Sequence, residues 1–133
     1  MLDSTLKKEF KKPVYWPSQD FWEGKILFLE TSEEKPTPTY VERSLRNLGM
    51  QGVFEKISAL LFGRVRDYSG SEKKKLESII VSVVAKEFNQ TELAIVAGLD
   101  FGHTAPQFIL PFGITAEVDC QNKKFRLLES AVV

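Results

Sequence analysis

Three short apolar runs constrain this chain more than any other feature: "KILFLE" (residues 25–30), "ALLFGRV" (59–65) and "ELAIVAGLD" (92–100). None alternates apolar with polar residues. A short run without alternation is the pattern of a strand buried on both faces. Between successive runs lies a segment of helical periodicity. In "PTYVERSLRNLG", Val41, Leu45 and Leu48 recur at helical spacing, Thr39 and Glu42 are placed for a capping box, and Gly49 suits a C-terminal stop. In "SGSEKKKLESIIVSVVAKEF", Leu76, Ile79, Ile80, Val83 and Val84 form one apolar stripe behind a Ser69 or Ser71 cap, and the lysine run is expected to be a solvated face. A shorter helix is expected around residues 53–57. Strand, helix, strand, helix, strand is the order of an α/β layer.

The C-terminal third reads differently. "QFILPFG" (107–113) is expected to add a short strand. "TAEVDCQNKKFRLLES" (115–130) alternates on two arms around residues 121–123, the pattern of a β-hairpin. The fold expected is a small α/β domain with a mixed sheet, two main helices and a C-terminal β-hairpin. Residues 1–23 read as a lead-in to a domain spanning 24–133. Pro13 and Pro17 break regular structure there, and Tyr15, Trp16, Phe21 and Trp22 are apolar enough to pin the segment to a surface.

Totals narrow the function. A chain of 133 residues, 43% of them hydrophobic, suits one domain with a sizeable core. Eighteen basic residues balance eighteen acidic ones, which argues against a dedicated nucleic-acid binder. The single cysteine, Cys120, excludes an internal disulfide and a multi-cysteine zinc site, and it is expected to be a packed thiol within the hairpin. No apolar stretch reaches the length of a membrane span, and "MLDSTLKKEFKK" lacks the apolar core of a signal peptide. A soluble, cytoplasmic protein without metal or cofactor is expected, with no nucleic-acid or membrane partner.

In α/β sheets the C-terminal strand ends gather polar residues at one edge, where sites form. Here the first strand ends in Glu30, the second runs out through Gly63, Arg64, Arg66 and Asp67, and the third leads to Asp100 and His103, the only histidine. A histidine oriented by a carboxylate is two thirds of a nucleophilic triad. Gly102 lets the backbone turn tightly enough to present the ring. Glu30 and Asp100 are alternative partners for His103. A turn histidine and a solvated strand-end glutamate are the non-catalytic readings. Arg64 and Arg66 are placed to grip a carboxylate-bearing substrate or to face water. No serine sits in a nucleophile-elbow context: "GxSxG" is absent, and Ser69 and Ser71 open a helix.

The segments "GKILFLETSEEKPTPTYVERSLRNLGMQGVFEKISALLFGRVRDYS" and "VAGLDFGHTAPQFILPFGITAEVD" resemble the C-terminal domain of the LD-carboxypeptidase family of serine peptidases. That family includes muramoyl-tetrapeptide carboxypeptidases and microcin C immunity peptidases. The likeness runs from about Phe21 to the C-terminus, and "FLETSEE" and "YWP" look closer to the microcin-immunity branch. It implies a swivelling β/β/α-type fold and a Ser–Glu–His triad. The glutamate ending "FLE" is Glu30, which the resemblance selects over Glu33 and Glu34. The histidine ending "FGH" is His103. The serine belongs to a separate N-terminal nucleophile domain, which this chain does not contain, so the chain alone is expected to be inactive. The expected partners are that nucleophile domain, a peptide or amide substrate and a second copy in a homodimer. The alternative is a stand-alone, non-catalytic binding or dimerisation module of the same fold.

Overall fold

The computed structural model describes residues 17–131. The three apolar runs form the strands β1 (Ile26–Leu29), β2 (Ala59–Gly63) and β3 (Ala94–Leu99) of one parallel sheet, in the order β1-β2-β3. Leu27 pairs with Leu60 and Leu60 with Ile95; Phe28 pairs with Leu61 and Leu61 with Val96. β2 is buried along its whole length, as its unbroken apolar run requires. β1 and β3 are edge strands and only partly buried.

Each crossover between parallel strands carries a helix. The first, α1 (Pro38–Met50), starts with Pro38 at its first turn and is capped by Thr37, whose side chain accepts from the Tyr40 amide. The Thr39–Glu42 box expected from sequence does not form, because the proline fixes the helix start upstream of Thr39. The second, α2 (Gly70–Val81), opens on Ser69 with a complete capping box to Glu72 and continues into a π-helical turn, Ser82–Glu87. Its backbone bonds reach five and six residues back, from Phe88 to Val83 and from Gln90 to Val84. Adjacent Val83 and Val84 are both fully buried there. Arg46 of α1 ties the pieces together through Glu42 and Glu87.

Both helices lie on one face of the sheet. Val41, Leu45, Leu76, Ile80, Val83 and Val84 meet Leu60 and Phe62 in a single core, with Leu27, Leu29 and Ile95 packed against it. Residues 53–57 form a turn rather than a helix. Val53, Phe54 and Ile57 nonetheless plug the end of that core, so their burial needs no helix. Trp22, at the end of a single 3₁₀ turn (Gln19–Trp22), packs against the same core and pins that part of the lead-in. Residues 1–16, with Tyr15 and Trp16, lie outside the described residues.

On the other face the loop after β3 meets β1 through aromatic rings. Phe28 packs edge-on against Phe101 (ring centroids 5.7 Å apart) and lies tilted against Phe112 (5.1 Å). Residues 107–113, expected as a strand, are irregular. Phe108, Ile109 and Phe112 are 70%, 92% and 85% exposed, so no sheet edge is filled by them. The hairpin forms as expected: β4 (Ala116–Asp119) pairs antiparallel with β5 (Lys124–Leu127) as a separate two-stranded sheet. Cys120 sits exposed in its turn, not packed within a strand. Asp119 closes that turn by accepting from the Asn122 amide and side chain.

Candidate functional site

All three strands of the parallel sheet deliver polar residues to one edge, as their C-terminal ends predict. Glu30 follows β1 directly. His103 follows β3 after a tight turn that folds back toward β1. Its Nδ1 lies 3.2 Å from Oε2 of Glu30. Two glycines permit this approach. At Gly63 an added Cβ would fall 2.6 Å from the Phe101 carbonyl, so only glycine lets the β3 loop lie across the end of β2. At Gly102, φ is +96° and an added Cβ would overlap Oε2 of Glu30, so the position needs glycine for both its backbone and its space.

The imidazole has a second neighbour. Its Nε2 lies 3.3 Å from Oε2 of Glu33. The sequence names Glu33 but offers no reason to place it here. Its place depends on how the turn after β1 closes, three residues beyond the strand-end carboxylate. That turn is anchored downstream. Lys35 pairs with Glu72 at the start of α2, and the Tyr68 hydroxyl donates to the Pro36 carbonyl. Burial, and secondarily the charge on Glu72, push the Tyr68 phenol up from its ordinary value. Glu30, Glu33 and His103 are each about half exposed or more, so water screens their charges.

Asp100, the other candidate partner of His103, is engaged elsewhere. It lies 2.6 Å from Nε of Arg64, and Arg64 also donates to the Pro106 carbonyl at 2.8 Å. Arg64 therefore braces the loop that carries His103. Arg66 stays near the rim, 3.5 Å from Asp67. These side chains open onto a cleft of about 1090 Å³ whose walls include Phe28, Glu30, Arg66, Lys73, Phe101 and Phe108. The hydroxyl of Thr104, next to His103, is buried in this wall without a hydrogen-bond partner among the described residues.

Chemically, the arrangement sets an imidazole beside two carboxylates, groups able to bind or pass a proton, at the rim of an open cleft with Phe108, Ile109 and Phe112 exposed beside it. Among the described residues that line the cleft there is no serine or cysteine. Among the described residues no group of three or more His, Cys, Asp or Glu side chains is set to hold a metal ion, and no helix is long and apolar enough to cross a membrane.

Known proteins resemble this chain in sequence and fold. The pattern described as the LD-carboxypeptidase C-terminal domain matches residues 4–118. The Microcin C7 self-immunity protein MccF of Escherichia coli is 30% identical over 108 residues, which are 80% of this chain and 29% of that protein. The crystal structure of an MccF-like protein from Streptococcus pneumoniae in complex with AMP superposes with a TM-score of 0.73 at 33% identity, over 93% of this chain and 33% of that one. A muramoyltetrapeptide carboxypeptidase from Oxalobacter formigenes superposes with a TM-score of 0.61 at 28% identity, over 77% and 35% of the two chains. The chain thus spans about a third of the length of the relatives it matches. It belongs to the LD-carboxypeptidase C-terminal domain family.

Proposed function

We propose that this domain supplies the base and its orienting carboxylate, His103 and Glu30, to a serine carboxypeptidase whose nucleophile lies on a separate domain. One observation carries the reading: Glu30 and His103, far apart in sequence, meet at Nδ1 on the strand-end edge of a domain of this family. With Nδ1–H donated to Glu30, the lone pair on Nε2 is directed outward to accept a serine proton. The serine attacks the carbonyl of a peptide or amide bond near the substrate's C-terminal end. The imidazolium that results is stabilised by Glu30 and returns its proton to the leaving amine. Stabilisation of the oxyanion falls to donors on the nucleophile domain. The apron of Phe108, Ile109 and Phe112 provides an apolar rim on which such a domain can seat. By this reading the chain alone hydrolyses nothing.

The test is made in a full-length protein that joins this domain to its nucleophile domain. His103→Ala should lower amide hydrolysis about 10³-fold or more, and Glu30→Gln about 10²- to 10⁴-fold, with substrate binding largely kept. Near-normal turnover by either variant would falsify the assignment. Both a murein tetrapeptide and an aminoacyl-nucleotide amide belong in the assay, because one similar structure is a muramoyltetrapeptide carboxypeptidase and another is MccF in complex with aspartyl sulfamoyl adenosine.

A further inference from the structure

The imidazole of His103 is contacted by a carboxylate at each nitrogen: Glu30 at Nδ1, 3.2 Å away, and Glu33 at Nε2, 3.3 Å away. A neutral imidazole carries one N–H and one lone pair, so it can donate to only one of the two. The two glutamates therefore favour opposite tautomers. Glu30 favours Nδ1–H, which leaves the Nε2 lone pair free. Glu33 favours Nε2–H, which places the only proton where the nucleophile's proton has to arrive.

We propose that Glu33 is a positioning residue that caps Nε2 of His103 in the isolated domain and is displaced when a nucleophile hydroxyl takes that place. This rests on the reading of His103 as the base. The geometry of the loop fits a displaceable cap. Glu33 is the more exposed of the two carboxylates, 61% against 45%, and lies in a turn. Glu30 is fixed at the strand end and wedged against Gly102. Flanking anchors at Lys35 and Pro36 keep the turn near the ring, and water reaches most of the Glu33 side chain. No other acidic side chain is seen against the ring among the described residues, since Asp100 is held by Arg64. The cap leaves part of the isolated half-site in the unproductive tautomer, and the docking hydroxyl, which donates to the Nε2 lone pair, selects the productive one.

Because the chain has a single histidine, the ring nitrogens can be read without ambiguity. The experiment is long-range ¹H–¹⁵N correlation on the full chain, at a pH above which the ring signals no longer move. The wild type should show a mixture of tautomers. Glu33→Ala should raise the ratio of Nδ1–H to Nε2–H about two- to fivefold, the scale of one exposed charge contact. Glu30→Gln should shift it the opposite way, and Glu34→Ala, one residue along, should leave it unchanged. Ring shifts identical in the wild type and Glu33→Ala, with backbone amide spectra showing the fold intact, overturn the proposal. A failure of the catalytic reading shows itself separately, as hydrolysis surviving His103→Ala in the full-length protein, and does not alter the tautomer ratio.

Discussion

Gly102→Ala separates two demands that the site makes on one residue. At φ of +96° an alanine is strained by about 1–3 kcal/mol, partly offset by about 0.4–1 kcal/mol because alanine loses less backbone freedom on folding. A net loss of about 1–2 kcal/mol follows. For a chain of 133 residues this lowers the melting temperature by about 3–10 °C. The second demand is spatial. The new Cβ would overlap Oε2 of Glu30 and stand 3.0 Å from its Cβ and 3.4 Å from its Cδ, so the carboxylate has to swing off Nδ1 of His103. Gly113→Ala is the matched control: its φ is +77°, with nothing within 4 Å of an added Cβ. Both variants should lose similar stability in urea titrations. Only Gly102→Ala should move the ring nitrogen signals of His103, toward the Nε2–H form. A Gly102→Ala chain with wild-type ring signals would refute the claim that this glycine makes room for the carboxylate.

Three further outcomes follow from contacts described above. Ser69→Ala removes the capping box at the start of α2 and should cost about 0.5–2 kcal/mol, measured as the shift in urea midpoint at constant slope; no shift would mean that the box contributes nothing. Arg64→Met unlocks the loop from Asp100 and Pro106, so hydrogen exchange should accelerate over residues 101–108 and remain slow in β2; unchanged exchange would place the bracing elsewhere. The third is an acid response. The Ser69 amide holds the Glu72 carboxyl below its ordinary range, Arg46 does so for Glu87, and the Asn122 amide for Asp119. A carboxyl lowered in the folded state contributes stability that is present above its unfolded value and is lost as pH falls through the folded one. The urea midpoint should therefore fall between about pH 5 and pH 2. A midpoint that holds or rises across that interval contradicts the three assignments.

Much of the parallel layer was legible because its signals are local and strong. β2 is an uninterrupted apolar run, and the stripe from Leu76 to Val84 admits one reading. Errors arose where a local signal competed with a second one nearby. Thr39 and Glu42 satisfy the capping-box spacing, but Pro38 sets the start of the helix. "QFILPFG" has the apolar content of a strand, yet it forms none, and Phe108, Ile109 and Phe112 are left largely exposed beside the site. The meeting of Glu30 and His103 could be anticipated from strand-end convergence together with the family motif. The contact of Glu33 could not, since it depends on how a turn closes after β1. Nor could the choice of Arg64 by Asp100, which rests on a loop conformation that no periodicity encodes.

β2 contributes no side chain to the Glu30–His103 contact, yet it sets the distance between the two strands that do. Those outer strands never pair with each other; each hydrogen-bonds only to β2. Two strand spacings of about 4.8 Å separate them, and the His103 loop and the Glu30 side chain are sized to bridge that gap. β2 is thus a spacer, and the site is sensitive to its thickness rather than its chemistry. Leu61, fully buried between Phe28 and Val96 in the sheet, has no polar atom to lend. Strand side chains stand perpendicular to the sheet, so enlarging Leu61 to Phe would leave the strand spacing unchanged and press the aromatic loop outward. A purely hydrophobic exchange in the middle of the sheet would then detune a polar contact at its edge.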